Sequence, residues 1–202
     1  MSTAKPTRRL VLASASPARL DTLARAGIHP EVIISGVDED PITADSPAEL
    51  AGVLAEAKAS AVAARINDPE ALVIGCDSVL ELDGRPYGKP GTAEVATDRW
   101  RQQRGRSAVL HSGHHLIAGN TRITRVGSTT VHFADLTDDE IAAYVATGEP
   151  LQVAGAFTID GYGGAYITGI EGDPHNVVGI SLPLLREMFA EAGIAWHELW
   201  GD

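Results

Sequence analysis

The stretch SAVLHSGHHLIAGNTRITRVGSTTVHF, from Ser107 to Phe133, constrains the fold more than any other part of the chain. Its two arms alternate in polarity, and Gly119-Asn120 interrupts them midway. Alternation with a period of two on either side of a turn pair reads as a long antiparallel hairpin. The chain before it reads differently. Arg9 to Ala13 is a buried strand, and Ser16 followed by Pro17 starts a helix that stops at Gly27. Glu31 to Ile34 is a second short strand, and SGVDEDPITADS is a polar loop. Ser46, Pro47 and Glu49 form a capping box that opens an alanine-rich helix reaching about Ile66. ALVIGC, Ala71 to Cys76, is an unbroken apolar run of strand length, and VLELDGRPYG turns at Asp83-Gly84. Early alternation of strands and helices together with a central hairpin predicts an α/β fold with a mixed sheet, not a purely parallel one.

Beyond these elements, a helix covers Ala93 to Gln103, and Thr137 with Glu140 caps another that stops at Gly148. The glycine-rich stretch Gly155 to Gly172 reads as short strands. Ser181 with Pro183 opens a last helix to about Gly193, and AWHELW reads as a short final strand. No repeat, low-complexity tail or linker interrupts residues 1–202, so one domain is expected, large enough for two lobes on a continuous sheet. The formal net charge of −11 argues against a partner that is a nucleic-acid polymer, because binding one needs a basic face. It leaves room for a small anionic ligand held by a few local cations. The leading MSTAKPTRR is followed by an apolar run too short for an export signal, and no stretch is long enough to span a bilayer. A cytoplasmic protein without a membrane partner is expected. The single cysteine, Cys76, rules out an intrachain disulfide and a cysteine metal cluster, and it reads as a buried structural thiol.

Several residues could carry chemistry. Arg19 falls in the first turn of a helix, where a cation opposes the helix dipole. With Ser14, Ser16 and the free amides of that turn it could enclose an anion, or it could be a surface charge on an ordinary capped helix. Asp77 directly follows the apolar strand, where polar residues line the crevice of α/β folds, or else it is a turn aspartate capping local amides. Asp38, Glu39 and Asp40 form an acidic loop able to share a divalent cation with substrate phosphates, or simply a solvated turn. Lys58 lies on or beside the packed face of the alanine-rich helix, either snorkelling or entering a pocket. Lys89 is either aimed by its glycine and proline neighbours in YGKP or an ordinary loop lysine. His111 and His115 share one strand face with His114 opposite. No carboxylate or cysteine stands at a useful spacing, so all three read as ordinary strand residues. His175 and Asn176 read as a loop that could touch a ligand. Two carboxylates among three cations, in this order, suit cleavage of a polyphosphate: cations neutralise oxygens, acids hold a metal, and one carboxylate activates water.

These segments resemble the Maf family of nucleoside triphosphate pyrophosphatases. LASASPARLDTL resembles the family's opening Leu-Ala-Ser-x-Ser-Pro-Arg-Arg-x-x-Leu-Leu, and GVDED its Val-Asp-Glu loop. AEAKAS matches its Ala-x-x-Lys-Ala helix, VIGCDSVL its Gly-Ala-Asp-Thr-Val strand end, and YGKP its Leu-Gly-Lys-Pro. VAGAFTIDGYGGAYITGIEGDPHNVVGISLPLL matches the closing region, so the resemblance runs from about Leu10 to Leu185. SPAR, GCDS and HSGH together resemble the branch found in actinobacteria.

The resemblance implies an elongated mixed α/β sheet flanked by helices with a cleft between two lobes, similar to inosine triphosphate pyrophosphatases. It implies metal-dependent hydrolysis between the α and β phosphates of nucleoside triphosphates, as housecleaning of non-standard or selected pyrimidine nucleotides. It makes Asp77 the general base, Glu39 with Asp77 the ligands of Mg²⁺ or Mn²⁺, and Ser14, Ser16, Arg19, Lys58 and Lys89 the phosphate-binding set. Homodimers are usual in the family. Ala18 stands where the family has an arginine, Ser78 where it has threonine, and Asp160 where it has glutamine, at positions tied to base selection. Ala108, Val153 and Phe157 replace a histidine, a lysine and a tyrosine. A nucleotide-binding regulator linked to cell division is the alternative expectation, and a phosphatase releasing orthophosphate a further one.

Overall fold

The structure, a computed structural model, describes residues 8–201. Most of the leading segment read above for an export signal, residues 1–7, lies outside the described residues. The elements are β1 (Leu10–Ala13), α1 (Pro17–Arg25), β2 (Glu31–Val32), α2 (Pro47–Ile66), β3 (Leu72–Leu82), β4 (Arg85–Tyr87), α3 (Ala93–Gln103), β5 (Ser107–Ala118), β6 (Thr121–Phe133), α4 (Asp138–Ala146), β7 (Ile167–Glu171), α5 (Pro174–Val178) and α6 (Leu182–Glu191). Short 3-10 turns occupy Glu149–Gln152, Ala154–Ala156, Tyr162–Tyr166 and Trp196–Leu199.

The strands form one sheet in the order β2-β1-β3-β5-β6-β7, with β4 added on β3. β1 runs parallel to both β2 and β3, and every other pairing is antiparallel. The mixed sheet predicted from sequence is therefore present. The central hairpin pairs Ser107 with His132 and Ala118 with Thr121. It turns at Gly119, whose φ of +59° a glycine adopts without strain.

A gap in the sheet positions the site. β5 pairs with β3 along one whole edge, from Leu72 to Glu81. On the other edge β1 pairs only with Leu72 to Gly75, and β4 only with Leu80 to Leu82. The edge from Cys76 to Val79 is left open, flanked by the chain leaving β1 and the chain leaving β4. Asp77 thus lies inside β3 and not past its end, as the sequence reading had it. What ends there is β1, because the chain turns into α1 after Ala13 while β5 keeps β3 extended.

On one face of the sheet α2 lies directly against β3 and β5. A Cβ built on Gly75 would meet the Ala55 carbonyl oxygen at 2.2 Å, and one on Gly113 the Ala51 carbonyl oxygen at 2.0 Å. Two glycines on neighbouring strands, Gly75 opposite His115 and Gly113 opposite Asp77, with an alanine-lined helix above them allow this backbone-to-backbone approach. Val11, Ala13, Val73 and Ile117 pack with Ala59 and Val62 under the same helix. The opposite face carries two clusters. One gathers Leu12, Leu72, Ile74 and Leu116 against Phe189 and Met188 of α6. The other gathers Leu80, Leu110, Val131 and Phe133 around fully buried Trp100. Trp100 meets Phe133 and Tyr144 edge-on, at 5.5 Å in each case, and donates its indole N–H to the Ala156 carbonyl at 2.7 Å. The strands β3, β5 and β6 run through both clusters and join them as two lobes.

Four further expectations are corrected. Glu31 to Ile34 forms a strand only over Glu31–Val32. Gly155 to Gly172 contains a single strand, β7, and otherwise folds as 3-10 turns. His175 and Asn176 sit in the short helix α5, whose N-cap Asp173 accepts the His175 amide at 2.9 Å. The tail is a 3-10 turn, not a strand, and Gly201 donates to the Gly27 carbonyl at 3.0 Å.

Candidate active site

A cleft of about 940 Å³ opens at the gap in the β3 edge. Ser14, Ser16, Ala18, Arg19, Glu39, Lys58, Asp77, Ser78, Lys89 and Asp160 all line it, so the whole set that the family resemblance implies faces one space, while Asp38, His175 and Asn176 do not line it. Ala108 does not either: it is buried in the Trp100 cluster.

At the floor, Asp77 projects from the same face of β3 as Gly75, towards α2. Because α2 rests on the two glycines, Lys58 on its underside reaches the carboxylate directly. Its ammonium lies 2.5 Å from Asp77 Oδ1 and 2.8 Å from Glu39 Oε1. The Lys58 and Asp77 side chains are only 12% and 13% exposed, so this is a desolvated pair, whereas Glu39 reaches in from a solvent-facing loop at 48%. In such a pair each charge depends on the other, since a lone buried charge is costly. Two carboxylates therefore converge on one cation position, held here by an amine. Two carboxylates completed by phosphate oxygens are a donor set that Mg²⁺ accepts, so the residues fit a divalent cation that arrives with a polyphosphate. No group of three or more His, Cys, Asp or Glu side chains suited to a metal occurs among the described residues.

Arg19 is built into the opposite wall. It is 8% exposed and does not curl back on its own helix turn. Its Nε donates to the Gly179 carbonyl at 2.8 Å, Nη1 to Ser14 Oγ at 3.0 Å and the Cys76 carbonyl at 2.9 Å, and Nη2 to Ser78 Oγ at 3.0 Å. The bond to Cys76 caps the open edge of β3. No carboxylate pairs with Arg19 among the described residues, so its charge is met by neutral oxygens alone. Ser16 caps α1 through its own hydroxyl, and the Ser14 hydroxyl accepts the Ser16 amide at 3.2 Å. Ser78 Oγ also bonds Ser112 Oγ at 2.8 Å, and Ser112 donates to the Asn176 carbonyl at 2.9 Å. The Ser78 hydroxyl is thus engaged within the protein. Ser112 was missed by the sequence reading, because only the cross-strand register Ser78↔Ser112 reveals it.

Lys89 is exposed and pairs with no acid among the described residues. The preceding carbonyl, Gly88, accepts from the Arg99 guanidinium and from the Gly155 amide, and Arg99 lies 5.5 Å over the Tyr87 ring. That loop is fixed while its amine is free.

The remaining titratable groups have structural surroundings. Burial pushes the Cys76 thiol up to about 11, as suits an inert core cysteine. His111 does have an acidic partner that sequence spacing hid: its Nε2 lies 2.8 Å from Glu81 Oε2, across strands, and its Nδ1 2.8 Å from Ser128 Oγ. His114 Nε2 accepts the Ser181 amide at 2.8 Å, and His115 Nδ1 bonds Thr124 Oγ1 at 2.8 Å. Asn176 is 1% exposed, and its amide donates to the Leu110 carbonyl and Thr129 Oγ1. It supports the sheet outside the cleft, and His175 is exposed at the surface.

Comparison with known proteins agrees with this layout. A protein of Streptomyces coelicolor named nucleoside triphosphate pyrophosphatase is 58% identical over 98% of this chain and 97% of its own length. Proteins of the same name from Salinispora tropica, 58% identical over 95% and 87%, and from Cutibacterium acnes, 53% identical over 94% and 93%, are similar in the same way. The Ham1 protein of Staphylococcus aureus overlaps at a TM-score of 0.41 and 20% identity, over 62% of this chain and 72% of that one, which is too distant to bear on the fold. The profile of the Maf-like proteins matches residues 9–192, which contain every element that lines the cleft. The chain belongs to the Maf-like protein family.

Proposed function

We propose that this protein is a nucleoside triphosphate pyrophosphatase, adding water across the bond between the α and β phosphates to release a nucleoside monophosphate and pyrophosphate. One observation carries the reading: Lys58 is held between Glu39 and Asp77 on the floor of a cleft whose walls present Arg19 and Lys89. An entering polyphosphate competes with both carboxylates for the Lys58 ammonium. Once released, Asp77 is placed to take the proton of the attacking water, and Lys58, Lys89 and Arg19 meet the phosphate charge. Ser14 and Ser16 hold the first turn of α1 beside them. Glu39 and Asp77 would hold Mg²⁺ or Mn²⁺ together with the phosphates. When bound, such a cation neutralises phosphate oxygens and lowers the pKa of a water.

The substrates proposed are non-standard or selected pyrimidine nucleotides. Discrimination is assigned to Ala18, Ser78 and Asp160 around the cleft, with Ser78 acting through the Arg19 network that engages its hydroxyl. A cytoplasmic homodimer is part of the same reading. Support for the nucleotide reading comes from the names of the relatives and from the phosphate-binding and carboxylate candidates lining one cleft. No helix among the described residues is long and apolar enough to cross a membrane. A second reading, a nucleotide-binding regulator linked to cell division, is favoured by the uncharged Ala18 and Val153 in the cleft wall.

A panel of ribo- and deoxyribonucleoside triphosphates with Mg²⁺ or Mn²⁺ separates them. The expected result is pyrophosphate and a monophosphate from at least one nucleotide. Orthophosphate as the product would contradict the reading, and a nucleotide-induced thermal shift without turnover would favour the regulator.

A further inference from the structure

Glu149 takes no part in the chemistry above, yet it accepts four hydrogen bonds. Its Oε1 receives the Tyr144 hydroxyl at 2.9 Å, the Thr158 hydroxyl at 2.6 Å and the Gly163 amide at 3.0 Å. Its Oε2 receives the Tyr162 amide at 2.9 Å. The Tyr144 hydroxyl in turn accepts the Thr158 amide at 3.3 Å. The chain from Thr158 to Gly163 is therefore wrapped around one carboxylate. A Cβ on Gly161 would lie 2.3 Å from Glu149 Oε2, and one on Gly163 2.5 Å from the Tyr144 hydroxyl, so the wrapping leaves no room for side chains. No strand ladder sets the path of this segment; the Tyr162 and Gly163 amides are satisfied by the acid and the Thr158 amide by the Tyr144 hydroxyl instead. The anchor itself is rigid, because Tyr144 is buried edge-on against Trp100.

The same segment carries Thr158, Ile159 and Asp160 to the cleft. No lysine or arginine occurs between Glu149 and Glu171, so this segment offers a polyphosphate no cation. The cations Arg19, Lys58 and Lys89 come from α1, α2 and the loop after β4. A nucleotide with its phosphates on those cations must turn its nucleoside towards another wall, and this one combines an apolar side chain with two polar ones.

We propose that Glu149 is a positioning residue for nucleoside recognition, holding the Thr158–Gly163 segment in the shape that presents Thr158, Ile159 and Asp160 to the substrate. This rests on the reading of the cleft as a nucleoside triphosphate site. Glu149→Gln tests it, because an amide keeps one acceptor oxygen and turns an NH₂ towards donors.

Calorimetric titration with α,β-methylene nucleoside triphosphates and with inorganic tripolyphosphate reads the two halves of the ligand separately. The nucleotide analogue bound best by the wild type is expected to weaken by about tenfold or more in Glu149→Gln, with tripolyphosphate changed by less than about twofold. In turnover the change should appear in KM, with kcat retained. Tyr144→Phe, which removes one hydroxyl outside the cleft, should give the same asymmetry to a smaller degree, and serves if Glu149→Gln does not fold. Equal weakening of both ligands marks a merely structural role and overturns the proposal, as does unchanged nucleotide affinity. A wild type that binds none of the analogues overturns the nucleotide reading itself, and this proposal with it.

Discussion

Arg19 and His114 show how one buried cation governs its neighbours. In the sequence Arg19 is a charge in an unfavourable position at a helix start. In the fold its guanidinium passes beneath α1 and ties together Ser14, Cys76, Ser78 and Gly179. Its place beside the cleft was legible from the motif. Apart from Ser14 its partners were not, because Cys76, Ser78 and Gly179 come from two other parts of the chain. His114 lies nearby, and burial first, then the Arg19 charge, pushes its pKa from 6.5 down to about 4. Because Nε2 accepts the Ser181 amide, the neutral ring carries its proton on Nδ1, and protonating Nε2 breaks that bond. The unfolded chain therefore takes up this proton at a higher pH than the native one. The stabilisation is fully present above pH 6.5 and declines as pH falls from 6.5 towards 4, by about 3 kcal/mol in all. NMR titration should find the His114 ring neutral until about pH 4, with the urea-unfolding free energy falling over the same window. A His114 midpoint near 6.5 would contradict this account of its burial.

Among the elements, α2 and β3 decide where the chemistry sits. The contact depends on Gly75 and Gly113 admitting the backbone of α2. Gly75→Ala or Gly113→Ala drives a methyl into a carbonyl that cannot rotate away. The expected cost is about 1–3 kcal/mol of stability, as for other overpacked sites. Lifting α2 also separates Lys58 from Asp77, so turnover should fall even where the variant stays folded. Unfolding midpoints and initial rates measured together check this, and a folded variant with wild-type turnover would refute the link. The sequence showed α2, the first half of β3 and the central hairpin clearly, since caps and apolar runs mark them, but it did not join residues 79–82 to the same strand. It misplaced Asp77 relative to the strand end because strand length depends on which neighbour keeps pairing, which is a tertiary property. It misread the stretch after Gly148 because amides bonded to Glu149 leave the same glycine-rich composition as a turn-rich strand region.

At the scale of the whole molecule, the order Arg19, Glu39, Lys58, Asp77, Lys89 in the chain becomes a single cleft because β1, α2, β3 and β4 all meet at one gap in the sheet. That much the order of motifs foretold. It could not show that Lys58 would stand between the two carboxylates, which depends on how closely a helix approaches a sheet. A net charge of −11 surrounds this cleft, so cations inside it matter more than the surface field in drawing in an anionic substrate. The proposed function makes Asp77 the base of a nucleotide pyrophosphatase. Single-turnover release of pyrophosphate by wild type and Asp77→Asn, with nucleotide binding followed in parallel, tests it most directly. Because Glu39 still partners Lys58, the variant is expected to stay folded and bind nucleotide, with its rate lowered by about 10²–10⁴-fold. Release of pyrophosphate by Asp77→Asn at the wild-type rate would contradict the account.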